Sequence, residues 1–154
     1  MVNLSTGLRA AMLGTSGFKT ALAFGVINLY TGTQPADADS AIPPGTVLVG
    51  VISKDGAAWV AGATANGLSM VGTSTAPNID KASENWQGTA IAAGTIGWGR
   101  FVGNPADAGV ASLVLSRMDM SVGVAGANLN LANINCVAGT PLVITSFRYT
   151  LPKS

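Results

Sequence analysis

The sequence lacks histidine altogether and contains a single cysteine, Cys136. Without an imidazole the chain cannot build a Ser-His-Asp triad or a Cys-His pair, and it lacks the ligand that most zinc sites use. One cysteine cannot form an internal disulfide framework, so we expect no dependence on an oxidising compartment. We interpret Cys136 as a small, buried apolar residue. These absences predict a protein that is not an enzyme and that binds no cofactor.

Charged residues are also scarce. They make up 10% of the chain, against about 25% in a typical soluble protein, and the formal net charge is +1. Eight Lys and Arg residues do not provide the basic surface that neutralises a phosphate backbone. We therefore expect no nucleic-acid partner. No run of about 18 apolar residues is free of glycine and polar residues, so we expect no membrane span. Residues 1–5 lack the charged start of a secretory signal.

The first 25 residues are predicted to form an N-terminal helical arm (1–25). Leu4, Leu8 and Met12 recur at a helical spacing, and the Ser-Thr pair between the first two can cap the helix. The glycines within residues 14–17 end this helix, and Phe18 begins one or two further helical turns. The apolar face of the arm needs a surface that a small β-domain does not supply alone. We therefore regard these four large apolar side chains as candidates for partner binding.

The remaining residues, 26–154, are predicted to form a single all-β domain. Segments rich in Val, Ile, Leu and aromatic residues alternate with clusters of Gly, Pro, Asn and Asp, a pattern typical of short strands joined by turns. About seven or eight such strands behind the helical arm favour a β-sandwich or a jelly roll. The clearest predicted strands are residues 26–30, 46–52, 113–122, 128–136 and 142–151.

The predicted strand 113–122 carries an alternation of polar and apolar residues. Arg117 and Asp119 fall on one face of it, and Met118 and Met120 fall on the other. A strand with one face on the core and one face in water has this pattern, since successive side chains point to opposite sides. We therefore expect the arginine and the aspartate to be solvated.

Two pairs of carboxylates are candidates for chemistry. Asp37 and Asp39 offer hard oxygen ligands in a long loop, but Ca²⁺ takes about six to eight oxygens, so a solvated loop is the favoured interpretation. Asp80 and Glu84 lie one helical turn apart, and capping of a short helix by Asp80 accounts for this pair without acid-base catalysis. We therefore predict no metal site and no catalytic residue.

The three tryptophans, Trp59, Trp86 and Trp98, are candidates for a binding surface. Aromatic faces stack on the apolar faces of sugars, so they could form a saccharide platform. Three tryptophans in a small sandwich serve more often as core residues and interface anchors. The residues assigned to partner binding are therefore Leu4, Leu8, Met12, Phe18, Trp59 and Trp86.

Several segments, taken together, resemble small virion proteins of tailed bacteriophages. The similar proteins have an L-x-x-G-L-R helix, an I-x-L-Y-x-G-x-x-P-x-x-A-D strand and loop, and a W-x-G-x-A segment. The matching residues here lie within 4–13, 27–39 and 81–90, and a Gly-Trp-Gly-Arg-Phe segment at 97–101 adds to them. The pattern covers most of the chain, although residues 57–79 match nothing in it.

The resemblance implies a structural protein of the phage head, most similar to decoration or cement proteins bound outside the major capsid shell. Such proteins are commonly β-sandwiches or jelly rolls. They are made in the host cytoplasm and reside on the capsid exterior. The implied partners are the major capsid protein and further copies of the chain, as a dimer or trimer on a symmetry axis. Two alternatives stay open: a tail, baseplate or fibre-associated subunit, and a carbohydrate-binding module.

Overall fold

A computed structural model describes residues 1–14, 16–72 and 76–151. The described chain is mostly β, with 38% strand and 10% helix and two sheets, in agreement with an all-β sandwich. In chain order the elements are β1 (Asn3–Leu4), α1 (Thr6–Leu13), α2 (Gly17–Leu22), β2 (Val26–Thr31), β3 (Leu48–Lys54), β4 (Met70–Gly72), β5 (Asn78–Lys81), β6 (Trp86–Thr89), β7 (Gly94–Val102), β8 (Arg117–Gly123), β9 (Leu129–Asn130), β10 (Asn135–Cys136), β11 (Pro141–Ile144) and β12 (Arg148–Thr150).

The larger sheet contains nine strands. Seven of them follow the order β1-β8-β7-β2-β3-β6-β11. The other two are short: β9 pairs with β8, and β10 pairs with β7. The smaller sheet has three strands in the order β12-β5-β4. At the centre of the larger sheet, Ile27 lies opposite Phe101 on one side and Ile52 on the other. This register places Ile27, Ile52 and Phe101 on one face of the sheet. Together with Leu8 and Leu22 of the two helices they lie in the hydrophobic core.

The number of strands is larger than expected because several are very short. Twelve strands occur in the described part of the chain, but five of them have only two or three residues. Seven have four residues or more, close to the predicted seven or eight. The predicted strand 128–136 is divided into the short β9 and β10, and 142–151 is divided into β11 and β12.

The N-terminal segment is helical, as predicted, but it packs on the sheet instead of projecting from it. Ser5 caps α1, because its Oγ accepts a hydrogen bond from the Leu8 amide at 3.1 Å. The same Oγ accepts from the Arg117 amide at 2.9 Å, and β1 pairs with β8. Leu8 and Leu22 are fully buried in the common core. Strand β1 and the buried side chains of Leu8 and Leu22 thus join the N-terminal segment to the sheet and its core.

The prediction that Arg117 and Asp119 are solvated is wrong. Both are fully buried, as are Met118 and Met120 on the opposite face of β8. The alternation of side chains is present, but the polar face is covered by two long loops, residues 32–47 and 103–116. The strand begins at Arg117, not at residue 113, so the apolar residues before it belong to the second of these loops.

Candidate interaction surfaces

The loop-covered face of the larger sheet contains a buried ion pair. Arg100 on β7 lies directly opposite Asp119 on β8. The arginine Nε and Nη2 donate to the two carboxylate oxygens at 2.7 and 2.8 Å, a bidentate arrangement. Its Nη1 donates to the carbonyl of Ser40 at 3.1 Å. Because Ser40 belongs to the 32–47 loop, the pair connects that loop to the centre of the sheet.

Arg100 remains charged in this environment. Burial alone would lower the pKa of its guanidinium, but the hydrogen bonds to Asp119 and the nearby negative charges, of which that of Asp119 is the largest, together raise it. The guanidinium also lies 5.6 Å from the ring centroid of Trp98, which stacks on Tyr30. Burial raises the pKa of the Tyr30 hydroxyl. The covered face is thus a packed polar and aromatic layer, not a hydrated surface.

A second buried ion pair connects the 103–116 loop to β8. The Nε and Nη2 of Arg117 each donate to a carboxylate oxygen of Asp107 at 2.6 Å. The Nη2 also donates to the carbonyl of Val110 at 2.8 Å. Two backbone hydrogen bonds of 2.8 Å join this loop to the 32–47 loop, from Ile42 to Gly109 and from Ser112 to Asp39. The two loops therefore form one continuous, hydrogen-bonded layer.

The outer side of this layer carries exposed apolar side chains. Val110, Leu113 and Val114 are 61%, 67% and 83% exposed. They lie in the segment 109–115, which we call the apolar loop. Its backbone is held by the contacts just described and by Ser112, whose Oγ accepts from the Val114 and Leu115 amides. Contiguous exposed apolar surface marks protein interaction sites, so the apolar loop is a candidate for one.

The apolar loop is not recognisable from hydrophobicity, because a run of Val and Leu is typical of a buried strand. That pattern places Leu113 and Val114 at the start of the strand that ends at residue 122, whereas the structure places them in the loop before it. The signal that could have separated them is the cluster of turn-forming residues before them, Asn104-Pro105 and Gly109, together with Ser112 inside the run.

A groove lies on the same face of the larger sheet, over β2, β3 and β6. It has a volume of about 490 Å³. Trp59 lines it, and the indole Nε1 donates to the carbonyl of Phe24 at 2.8 Å. Its lining residues are Val26, Asn28, Val51, Ser53, Gly56, Ala57, Ala58, Trp59, Gly88, Thr89 and Ile91. We call this the Trp59 groove.

The structure places the six predicted partner-binding residues in different environments. Leu8, Phe18 and Trp86 are core residues, and Leu8 and Trp86 are fully buried, so the side chains of these two are not available to a partner. Leu4 and Met12 are partly buried and pack against that core. The sixth, Trp59, lines the groove just described. The structure brings Met12 and Phe18 together along one groove of about 380 Å³, but it does not gather the six residues into one exposed patch.

The candidate carboxylates take part in local hydrogen bonds. Asp37 Oδ1 accepts from the amide and hydroxyl of Ser40, and these bonds lower the pKa of Asp37. Asp39 accepts from the amide and hydroxyl of Thr6, tying its loop to α1. Asp80 lies in β5, not at the start of a helix, and is paired with Arg148 at 2.6 Å. No group of three potential metal-binding side chains occurs within residues 1–14, 16–72 and 76–151.

Cys136 is buried, as predicted. None of the described helices has the length and apolar character needed to cross a membrane.

No protein-family model, curated protein or solved structure matches the chain.

Proposed function

We propose that the protein is a non-enzymatic bacteriophage decoration, or cement, protein. It binds the assembled major capsid shell on the exterior of the virion, as a homodimer or homotrimer. The observation that carries this proposal is the apolar loop, in which Val110, Leu113 and Val114 are exposed on a hydrogen-bonded backbone. The resemblance of residues 4–13, 27–39 and 81–90 to small phage virion proteins supports the same function. A sandwich or jelly-roll arrangement of the two sheets is part of the proposal.

The rigidity of the apolar loop favours binding. A flexible loop loses conformational entropy when it docks, and that loss opposes association. Here the buried Arg117–Asp107 pair and the hydrogen bonds to the 32–47 loop hold the backbone before a partner arrives. The exposed valine and leucine side chains can then bury apolar area with little ordering of the main chain. This arrangement suits a contact that is repeated many times on a shell.

Each contact with the capsid contributes a modest free energy of binding, and the strength of binding to the shell comes from many such contacts made at once. A dimer or trimer that touches several capsid subunits has a high effective local concentration at each site, which converts weak contacts into avidity. A protein that binds only the assembled shell also stabilises that shell by mass action. Because the chain carries only eight Lys and Arg and seven Asp and Glu, few ion pairs to the capsid can form. Capsid binding should therefore depend little on salt.

The decisive experiment is to compare heads with and without the protein. We expect virions that lack it to release their DNA at a lower temperature, at both low and high salt, as measured by the fluorescence of a DNA-binding dye during heating. Re-adding purified protein should restore the release temperature. Equal release temperatures with and without the protein would contradict a cementing role and favour a tail, baseplate or fibre subunit. Restoration only at low salt would contradict the apolar contact.

The apolar loop can be tested directly with a double variant, Leu113→Ser together with Val114→Ser. We expect binding to empty heads to weaken by at least about tenfold, since both exposed side chains supply the apolar contact. Val137→Ser is the matched control, because Val137 is 66% exposed outside the loop and should be dispensable. Sedimentation of the protein with the heads measures binding, and circular dichroism confirms that each variant is folded. Equal binding by the double variant and the control would contradict this placement of the interface.

A further inference from the structure

The Trp59 groove has one wall built from a long loop without helix or strand. Residues 55–69 connect β3 to β4. Irregular loops of this length within a compact domain are uncommon, and those that are ordered often carry a function. The part of the connection that carries the tryptophan, residues 55–66, is called the Trp59 loop here. Its conformation is set by contacts with several distant parts of the chain.

Hydrogen bonds hold the Trp59 loop along its length. The hydroxyl of Ser53 donates to the carbonyl of Ala57 at 2.7 Å, and the side-chain amide of Asn66 donates to the carbonyl of Ala58 at 2.7 Å. Farther along, the Gly62 amide donates to both the carbonyl and the side-chain oxygen of Asn104, each at 3.0 Å. The indole ring is thus presented from a fixed backbone.

The non-glycine residues with a left-handed backbone conformation lie around the same loop. Within the described residues, the non-glycine positions with positive φ are Phe24, Asp55 and Asn66, at +59°, +56° and +62°. Asp55 begins the Trp59 loop, Asn66 ends it, and the Phe24 carbonyl accepts the hydrogen bond of the Trp59 indole. Asp and Asn adopt this conformation more readily than other residues, so Phe24 is the strained position, and such a position persists only where the surrounding structure enforces it. The strain at the residue whose carbonyl accepts the Trp59 indole favours a functional role for the placement of that side chain.

The chemical character of the groove indicates what it can bind. None of its lining residues is charged. Val26, Val51 and Ile91 supply apolar surface, while Asn28 and Thr89 add an amide and a hydroxyl. Its volume of about 490 Å³ lies in the range of small-ligand sites, roughly 300–1,000 Å³. An uncharged ligand that combines apolar faces with hydroxyl groups complements this lining in charge and polarity.

From these observations we propose that the Trp59 groove is a binding site for a neutral saccharide. The indole ring packs against an apolar sugar face, and the Asn28 amide and Thr89 hydroxyl hydrogen-bond to sugar hydroxyls. The absence of cations from the lining disfavours sialylated and sulfated sugars, since nothing in it would offset the cost of desolvating their negative charge. The site is separate from the apolar loop, so this proposal does not depend on capsid binding.

The test uses the full chain with an array of neutral oligosaccharides built from hexoses and N-acetylhexosamines, and with sialylated and sulfated counterparts. We expect binding of at least one neutral oligosaccharide, quantified by calorimetry and mapped by NMR shifts at the Trp59 indole and the Asn28 side chain. Trp59→Ala should weaken binding by about tenfold. Thr89→Lys is the second variant, because it places bulk and charge at an exposed groove residue without removing an anchor of the Trp59 loop.

The control is the Leu113→Ser, Val114→Ser double variant, which should bind the saccharide like the unaltered protein. Failure of every neutral oligosaccharide to bind at millimolar concentration would overturn the proposal. Preference for the charged sugars, or unchanged binding by both Trp59→Ala and Thr89→Lys, would also overturn it. Because the double variant tests capsid binding separately, failure at one site can be distinguished from failure at the other.

Discussion

Replacing Asp119 with Ala is expected to lower the free energy of unfolding by about 3–5 kcal/mol. The substitution leaves the guanidinium of Arg100 buried, at 1% exposure, without its counter-charge. Its remaining contacts, the Ser40 carbonyl and the Trp98 ring, carry no negative charge. We would measure the change as a shift of the urea midpoint at constant slope.

A geometrically matched control is present in the same chain. Arg148 and Asp80 form a bidentate pair of similar distances, 2.6 and 2.9 Å, but the arginine side chain is 64% exposed. Asp80→Ala should therefore be much less destabilising, because water solvates the remaining charge. Equal destabilisation by Asp119→Ala and Asp80→Ala would contradict the importance of burial.

A double replacement separates the cost of an unpaired charge from the value of the pair. Changing Arg100 to Met and Asp119 to Leu removes both charges and keeps much of the volume. Buried ion pairs replaced by apolar residues of similar size are often neutral in stability. We expect the double variant to recover most of the stability lost in Asp119→Ala. The methionine side chain that replaces Arg100 cannot donate to the Ser40 carbonyl, so faster amide exchange is expected in the 32–47 loop.

Replacing Trp86 with Ala is expected to destabilise the protein by about 3–5 kcal/mol, the usual cost of removing a large aromatic from a core. Trp86 is fully buried and packs against Phe101 and Phe147, with ring centroids 5.8 and 5.3 Å away. Its indole Nε1 donates to Glu84 Oε1, which also accepts from the Ser69 amide. Urea unfolding measures the loss.

Two comparisons make the Trp86 result interpretable. Trp86→Phe retains most of the packing but removes the hydrogen bond to Glu84, so it should lose less stability than the alanine variant. Trp59→Ala should also lose less, because Trp59 is only partly buried and lines the groove. A Trp86→Ala protein as stable as Trp59→Ala would contradict a core role for Trp86 and restore it as a candidate partner contact.

Local sequence patterns predicted several elements because the interactions responsible are local. The strand expected at 26–30 is β2, and that at 46–52 corresponds to β3, displaced by two residues. The cap at Ser5 bonds to an amide three residues later. Met118 and Met120 point to the core because period-two alternation follows from strand geometry. In contrast, residues 57–60, whose composition suits a short strand, are part of the Trp59 loop, since its conformation depends on Phe24 and Asn104, which are remote in sequence.

The sequence by itself determined the β-rich class, the helical N-terminal segment and the scarcity of charge. These properties follow from composition, capping and periodicity, which act over a few residues. Only the tertiary structure decided that Arg117 and Asp119 are buried, because long-range hydrogen bonds to β7 and between the loops 32–47 and 103–116 place those loops over them. The tertiary structure also decided that Val110, Leu113 and Val114 are exposed, because no described part of the chain packs over their loop. It likewise placed Trp59 beside a groove. A pattern shows which side chains share a face, but whether that face meets water depends on what packs against it.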